Sequence, residues 1–378
     1  MSMTIKLAIN ATCLLSPFTG IGQYTYHLGK QMLADPEVSP HFFYGMYWSK
    51  ALRQASVPGI GWKKNVVKKI VPQSYAVTQA IKKIQFSRGV PEVDIYHEPT
   101  YLPLSFKQKI VLTVHDISFV RYPETHPAQR ITAMKKFPQA LARAGAIITD
   151  SHYTAKELID CFDVDAEKVY PIHLGVTDEY HLRSEDEVKH TLLSHGLSYQ
   201  QYILVVGTLE PRKNLQLVFA AYSKLPDALK KRFPLVVVGM RGWETEKIDE
   251  SLAVLLSGGY VKILGYVLSE DLPLIYAGAK LFVYPSLYEG FGLPPLEAMA
   301  SGVPVITSNR SSIPEVVGSA GVQIDAEDAM GLKHSMLELL DDENKCQVMR
   351  LAGLEQSKKF TWEKCAAATV DVYKKVIG

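Results

Sequence analysis

Short runs of consecutive apolar residues, each closed by a turn and followed by an amphipathic stretch, recur along this chain and constrain its fold more than any other feature. In the first half they are Ile5–Asn10, Phe42–Tyr47, Ile110–Val114, Ala146–Asp150 and Lys168–Ile172, with Ile21–Leu33 as the first amphipathic stretch. In the second half they are Tyr202–Val206, Leu235–Gly239, Tyr260–Leu264, Leu281–Tyr284 and Val303–Thr307. A continuous apolar run of strand length suits a strand buried on both faces, and strands that alternate with helices pair in parallel. The pattern runs twice, so the sequence predicts an α/β protein of two Rossmann-like, doubly wound domains facing an interdomain cleft.

The segment Pro171–Tyr180 lies between a strand and the charged helix around Asp186–His195, and it marks the hinge. The expected division is 1–175, 176–360 and a helix over 361–378 that crosses back to the first domain, with Trp362, Ala366, Thr369, Val370 and Tyr373 at helical spacing. With 378 residues and 47% hydrophobic composition, each half can bury its own core. Ligands of open parallel sheets bind outside the carboxyl ends of the strands, which places a ligand in the cleft between the two domains.

A formal net charge of +2 gives no global field for a polyanion, and no nucleic-acid partner is expected. Cys13, Cys161, Cys346 and Cys365 have neither metal-ligand nor disulfide-framework spacing, in keeping with a reducing cytosol. No run approaches the roughly 20 apolar residues of a membrane span. Charge is nevertheless uneven. No acid occurs from Val38 to Pro91, and the stretch 50–88 is basic, with Trp62, Val66 and Ile70 on one side of a helical projection and Lys64 and Lys68 on another. Such a helix either lies peripherally on an anionic membrane surface or presents an ordinary solvated face.

The strongest chemical signal is Tyr288-Glu289-Gly290-Phe291-Gly292-Leu293-Pro294-Pro295-Leu296-Glu297, which follows a buried strand and opens a helix. Gly290 and Gly292 let the backbone approach a ligand closely, and the prolines sit at the helix start, where no N–H partner is lost. The amides of Phe291, Gly292 and Leu293 then point toward the cleft. A first-turn glutamate is also an ordinary complement to the helix dipole, but two carboxylates bracketing a glycine turn at a strand's carboxyl end point to a binding site.

This motif resembles the Glu, seven residues, Glu signature of glycosyltransferase family 4, the retaining GT-B enzymes, and the resemblance covers essentially the whole chain. It implies that Glu289, with Phe291, Gly292 and Leu293, holds donor-sugar hydroxyls and that Glu297 binds the nucleotide ribose. The run Phe291 to Glu297 looks most like mannosyltransferases of bacterial O-antigen and exopolysaccharide assembly, which implies GDP-mannose as donor and a saccharide or polyprenyl-diphosphate-linked acceptor. A UDP-sugar-dependent enzyme of the same fold, or a non-catalytic nucleotide-sugar-binding subunit, are the rival readings.

The second signal is Gly207-Thr208-Leu209-Glu210-Pro211-Arg212-Lys213-Asn214, again a turn between strand and helix. Asn214 reads as the N-cap of that helix. Two cations at a helix N-terminus oppose its dipole unless an anion sits there, and a donor diphosphate would supply one. In the family the matching Arg and Lys neutralise that diphosphate as it departs.

Weaker signals complete the reading. Gly20 and Gly22 lie in a Gly-x-Gly turn that lacks the third glycine of a dinucleotide fingerprint and that is similar to the family's first glycine loop, closing over the diphosphate or the acceptor. His115 and Asp116 end a buried strand, either as a core pair in which Asp116 orients the imidazole or, by resemblance, with His115 near the donor sugar. Tyr266 and Val267 match the loop beside the nucleotide base, and Ser308 and Asn309 line the same pocket or simply form a turn. Asp163-Val164-Asp165 invites a metal reading, but turn and cap chemistry explains it and Arg212 and Lys213 can do the electrostatic work of a cation, so no metal or other cofactor is expected.

Overall fold

The computed structural model describes residues 4–15, 20–53, 84–86, 91–104, 106–240, 252, 253 and 255–378. Within them the chain builds two sheets. The first contains β1 (Ile5–Asn10), β2 (Val38–Phe43), β3 (Trp48–Ser49), β4 (Ile95–Glu98), β5 (Lys109–Val114), β6 (Ala146–Thr149) and β7 (Val169–Pro171), in the spatial order β3-β2-β1-β4-β5-β6-β7. The second contains β8 (Ile203–Val206), β9 (Leu235–Val238), β10 (Val261–Gly265), β11 (Leu281–Tyr284), β12 (Val305–Ser308) and β13 (Val322–Ile324), in the order β10-β9-β8-β11-β12-β13. Every pairing is parallel except β2 with β3.

Strands β4, β6, β8, β9, β11 and β12 are buried along their whole length, as residues covered by helices on both faces must be. Two sequence expectations need correction here. The strand expected at Phe42–Tyr47 is Val38–Phe43, and residues 44–47 form the turn into β3, with Tyr44 N donating to Tyr47 O. Strand β4 was not foreseen, because its sequence Ile-Tyr-His-Glu hides two polar side chains in the core, where His97 bonds Thr113 and Tyr373 and Glu98 accepts from Asn10.

Residues 172–183 carry the chain to the second domain and residues 357–361 carry it back. The two crossings touch, since Val176 N donates to Phe360 O and a side chain at Gly175 would collide with Trp362. The helix Trp362–Ile377 that follows packs on the first domain, with Tyr373 OH 2.6 Å from His97 Nδ1 and Lys374 paired to Glu37 at 2.7 Å. No helix among the described residues is long and apolar enough to cross a membrane. Most of the basic stretch 50–88, including Trp62 to Ile70, lies outside the described residues.

Candidate active site

In the second sheet the chain order reverses direction between β8 and β11, and a crevice opens outside the carboxyl ends of neighbouring strands that diverge in this way. The two strongest motifs leave from those two strands. Gly207 follows β8 with φ +151, and the next turns carry Arg212 and Lys213. Glu289 follows β11 and precedes the helix Leu293–Ala300, whose N-cap Gly292 takes φ +118, whose first-turn amides have no intrahelical partners and whose early prolines stand where a missing N–H costs nothing.

The structure joins the motifs through one carboxylate. Glu289 accepts from Arg212 Nη1 at 3.0 Å, Lys213 Nζ at 2.7 Å, Tyr284 OH at 2.8 Å and Ser286 Oγ at 2.6 Å. Arg212 reaches further, to Glu210 at 2.7 Å and to the Tyr288 carbonyl. Burial alone would raise the Glu289 carboxyl, but Arg212 and Lys213 overcome it and bring its pKa to about 2. Burial holds the Lys213 ammonium below its ordinary value against the pull of Glu289, with Arg212 adding to the depression. The counter-anion that the sequence assigned to a diphosphate is thus supplied in this structure by the chain itself, through Glu289 and Glu210.

Glu297 lies within the helix Leu293–Ala300 and is 5% exposed. Burial raises its carboxyl to about 7, opposed by the nearby hydroxyls of Tyr276 and Tyr180. Gly207, Gly239 and Gly265 line up at the carboxyl ends of β8, β9 and β10, where Gly207 N donates to Val238 O and Gly239 N to Gly265 O. Thr208 follows Gly207 against Gly239, where a Cβ would lie 3.3 Å from Thr208 N, while in the loop after β10 Tyr266 is exposed and Val267 buried. Ser308 is fully buried and donates to the Ser286 carbonyl, tying β12 to the Glu289 loop, while Asn309 N donates to Ile324 O.

Several expectations change. Asn214 does stand at the N-cap position of the helix Leu215–Ser223, but in the left-handed conformation and without a side-chain capping bond: its amide donates instead to the carbonyls of Pro285 and Ala326, fastening the cation turn to two neighbouring loops. Gly20 and Gly22 lie in the first turn of the helix Gly20–Ala34 rather than in a loop, and Phe18 and Thr19 lie outside the described residues. Gly290 admits the first domain rather than a ligand, because a Cβ there would lie 1.8 Å from the His115 carbonyl oxygen. The side chain of Phe291 turns into the hinge against His173 and Phe360.

His115 follows β5, but Asp116 does not orient it. Its Nδ1 lies 2.7 Å from Asp150 Oδ2 and its Nε2 3.1 Å from the Pro99 carbonyl oxygen, with Tyr24 edge-on at 4.9 Å. The Pro99 carbonyl can only accept, and the Asp150 carboxylate favours a proton on Nδ1, so both contacts suit the protonated ring. Burial opposes that charge, but Asp150 outweighs it and raises the His115 pKa. Asp116 instead accepts from Ser118 N and Oγ and feels Arg212 across the cleft, which keeps its carboxyl low despite burial. Asp163 caps the helix His152–Phe162 in the left-handed conformation, and Asp165 accepts from Glu167 N at the start of the next turn.

Sequence reading missed Glu210, Tyr284 and Ser286, which complete the shell of Glu289, and Asp150, the partner of His115. Asp150 had a signal, since it stands directly after β6 as Asp116 stands shortly after β5. It also missed Glu315, which accepts from the amides of His152 and Tyr153 and from His173, so that a carboxylate of the second domain caps a helix of the first.

Comparison with known proteins agrees with this architecture. The profile described as "Glycosyltransferase Family 4" matches residues 18–180, and that described as "Glycosyl transferases group 1" matches residues 195–356. The chain is 36% identical over 369 residues to O-antigen chain mannosyltransferase B of Escherichia coli, covering 95% of this chain and 96% of that one. Its fold is similar to sucrose-phosphate synthase from Thermosynechococcus elongatus (TM-score 0.75, 19% identity, 99% of each chain). It is also similar to HepE of Anabaena in complex with UDP and glucose (TM-score 0.71, 16% identity, 98% of this chain and 100% of that one). Two matched halves, a relative aligned along nearly its full length and paired parallel sheets with the motif residues at their switch point together place the chain in glycosyltransferase family 4, the GT-B glycosyltransferases.

Proposed function

We propose that this glycosyltransferase moves mannose from GDP-mannose, with retention of the α configuration and without a metal cofactor, to a saccharide or polyprenyl-diphosphate-linked saccharide in O-antigen synthesis. The observation that carries the reading is the convergence of Arg212, Lys213 and Glu289 at the switch point of the second sheet. Kinship along the whole chain with an O-antigen mannosyltransferase supports the choice of sugar and pathway.

In this reading the donor diphosphate enters between Glu289 and the two cations. Arg212 and Lys213 then stabilise the negative charge that grows as the C1–O bond breaks, and Glu289, freed in part, takes sugar hydroxyls. Glu297 binds the ribose hydroxyls, the loop of Tyr266 and Val267 the base, and the Phe291, Gly292 and Leu293 amides the sugar and phosphate. The acceptor hydroxyl attacks C1 from the face the diphosphate leaves, and its proton passes to the departing β-phosphate. When protonated, the His115 imidazole adds positive charge behind the Glu289 loop, and the helix start at Gly20 and Gly22 closes over the site from the first domain. The chain works in the cytoplasm, with the basic stretch 50–88 resting on the inner membrane.

The test is transfer of mannose from GDP-mannose to a polyprenyl-diphosphate-linked saccharide, with the product's anomeric configuration read by NMR. An α-linked mannoside supports the proposal. A β-linked product overturns retention, and transfer from a UDP-sugar alone overturns the donor.

A further inference from the structure

The residues on either side of Glu289 are held by the other domain. Tyr288, 2% exposed, passes its side chain into the first domain, where its hydroxyl donates to Glu157 Oε2 at 2.6 Å and accepts from Ile117 N at 3.2 Å. Its ring lies against Tyr122 and Tyr153, and burial together with Asp116 and Glu157 keeps the phenol protonated. The Gly290 carbonyl accepts from Ser151 Oγ at 2.7 Å and from Thr154 Oγ1 at 3.2 Å. Glu157 is itself fixed, by Arg121 Nε at 2.6 Å.

The same residue that reaches across also faces the cations, because the Tyr288 carbonyl accepts from Arg212 and the next carboxylate binds Arg212 and Lys213. We infer that the Glu157–Tyr288 contact is the link through which the first domain sets the geometry of Arg212 and Glu289, so that both are positioning residues for transfer. The inference rests on the proposed donor site. Opening the domains removes the partners of the Tyr288 hydroxyl and the Gly290 carbonyl together, while Glu289 keeps its own backbone anchors, Ser311 Oγ and Ser312 Oγ. The loop therefore stays folded when the domains part but loses its register against Arg212, which is the behaviour of a positioning contact rather than of a fold contact.

Two measurements on Tyr288→Phe test this. In steady-state transfer, kcat falls about ten-fold, since small misplacements of a catalytic group are costly, while affinity for the nucleoside diphosphate, read by calorimetry, stays within about two-fold. Glu157→Gln, which keeps an acceptor for the hydroxyl, retains most of the activity, and Ser151→Ala repeats the loss more weakly. An unchanged kcat, or an equal loss of kcat and diphosphate affinity, overturns the positioning role. Hydrogen exchange needs no substrate: peptides over 115–119 and 286–292 exchange faster in Tyr288→Phe while the helix bearing Glu297 is unaffected. Equal exchange in both proteins overturns the link whether or not mannose is the sugar, whereas faster exchange with no transfer by the unsubstituted protein leaves the link standing and places the failure in the donor reading.

Discussion

Glu289 binds Lys213 at 2.7 Å through one carboxylate oxygen and Arg212 at 3.0 Å through the other, so a single buried acid bridges both cations of the opposite motif, with Glu210 supplying a second carboxylate to Arg212. Removing Glu289 strands Lys213 and leaves Arg212 with Glu210 alone. Breaking one partner of a buried ion pair costs about 3–5 kcal/mol, and Glu289→Ala is expected to lower the melting temperature while cutting transfer about 100-fold. An added nucleoside diphosphate then replaces the missing anion, so its stabilising shift in calorimetry is larger in Glu289→Ala than in the parent protein. A smaller shift would mean that the diphosphate binds elsewhere.

The two glutamates of the motif titrate in opposite directions. Glu289 lies at about 2, below its ordinary value, so its contribution to stability is present above the usual carboxylate range and is lost as pH falls toward 2. Glu297 lies at about 7, above its ordinary value, so the folded state holds a proton that the unfolded chain releases, and stability is lost as pH rises from about 4.5 to 7. Glu297→Gln removes that penalty and is expected to stabilise the free protein at pH 8 by up to about 3 kcal/mol, measured by denaturant titration. If Glu297 takes the ribose hydroxyls as proposed, binding favours its ionised form, and nucleotide affinity is expected to rise with pH up to about 7 with proton release, visible as buffer-dependent binding enthalpies.

His115 is expected to titrate above the ordinary histidine value, with its stabilising contribution complete at acid pH and lost as pH rises through that value. Asp150→Asn removes the carboxylate on Nδ1 and brings the His115 titration down, as followed by NMR of the ring protons. An unmoved titration would show that Asp150 does not set the charge.

Much of this fold was legible because buried parallel strands write themselves as apolar runs. Strand β4 escaped because its His97 and Glu98 find buried partners from β5, β1 and the last helix, contacts that local sequence does not encode. At the site, Glu289, Glu297, Arg212 and Lys213 stood out by type and spacing, yet their pairing did not. Whether a buried cation meets a ligand or a glutamate 76 or 77 residues away depends on how β8 and β11 are placed side by side. The same holds for Asn214, a cap by its position in sequence and a loop fastener by its surroundings.

The Asp163 and Asp165 pair terminates one helix and starts a turn. Asp165→Ala is expected to cost about 1 kcal/mol as a lost cap while leaving transfer unchanged, with or without chelator. Loss of activity that added divalent metal restores would revive a metal role.

The most direct test of the central claim is calorimetric titration of the protein with GDP, UDP and ADP, each with and without chelator. Selective binding of GDP that is indifferent to chelator and is abolished in Arg212→Ala is the result expected of a GDP-mannose-dependent enzyme with its donor at Arg212, Lys213 and Glu289. Preference for UDP would contradict the mannose donor, and binding that survives loss of Arg212 unchanged would contradict the site.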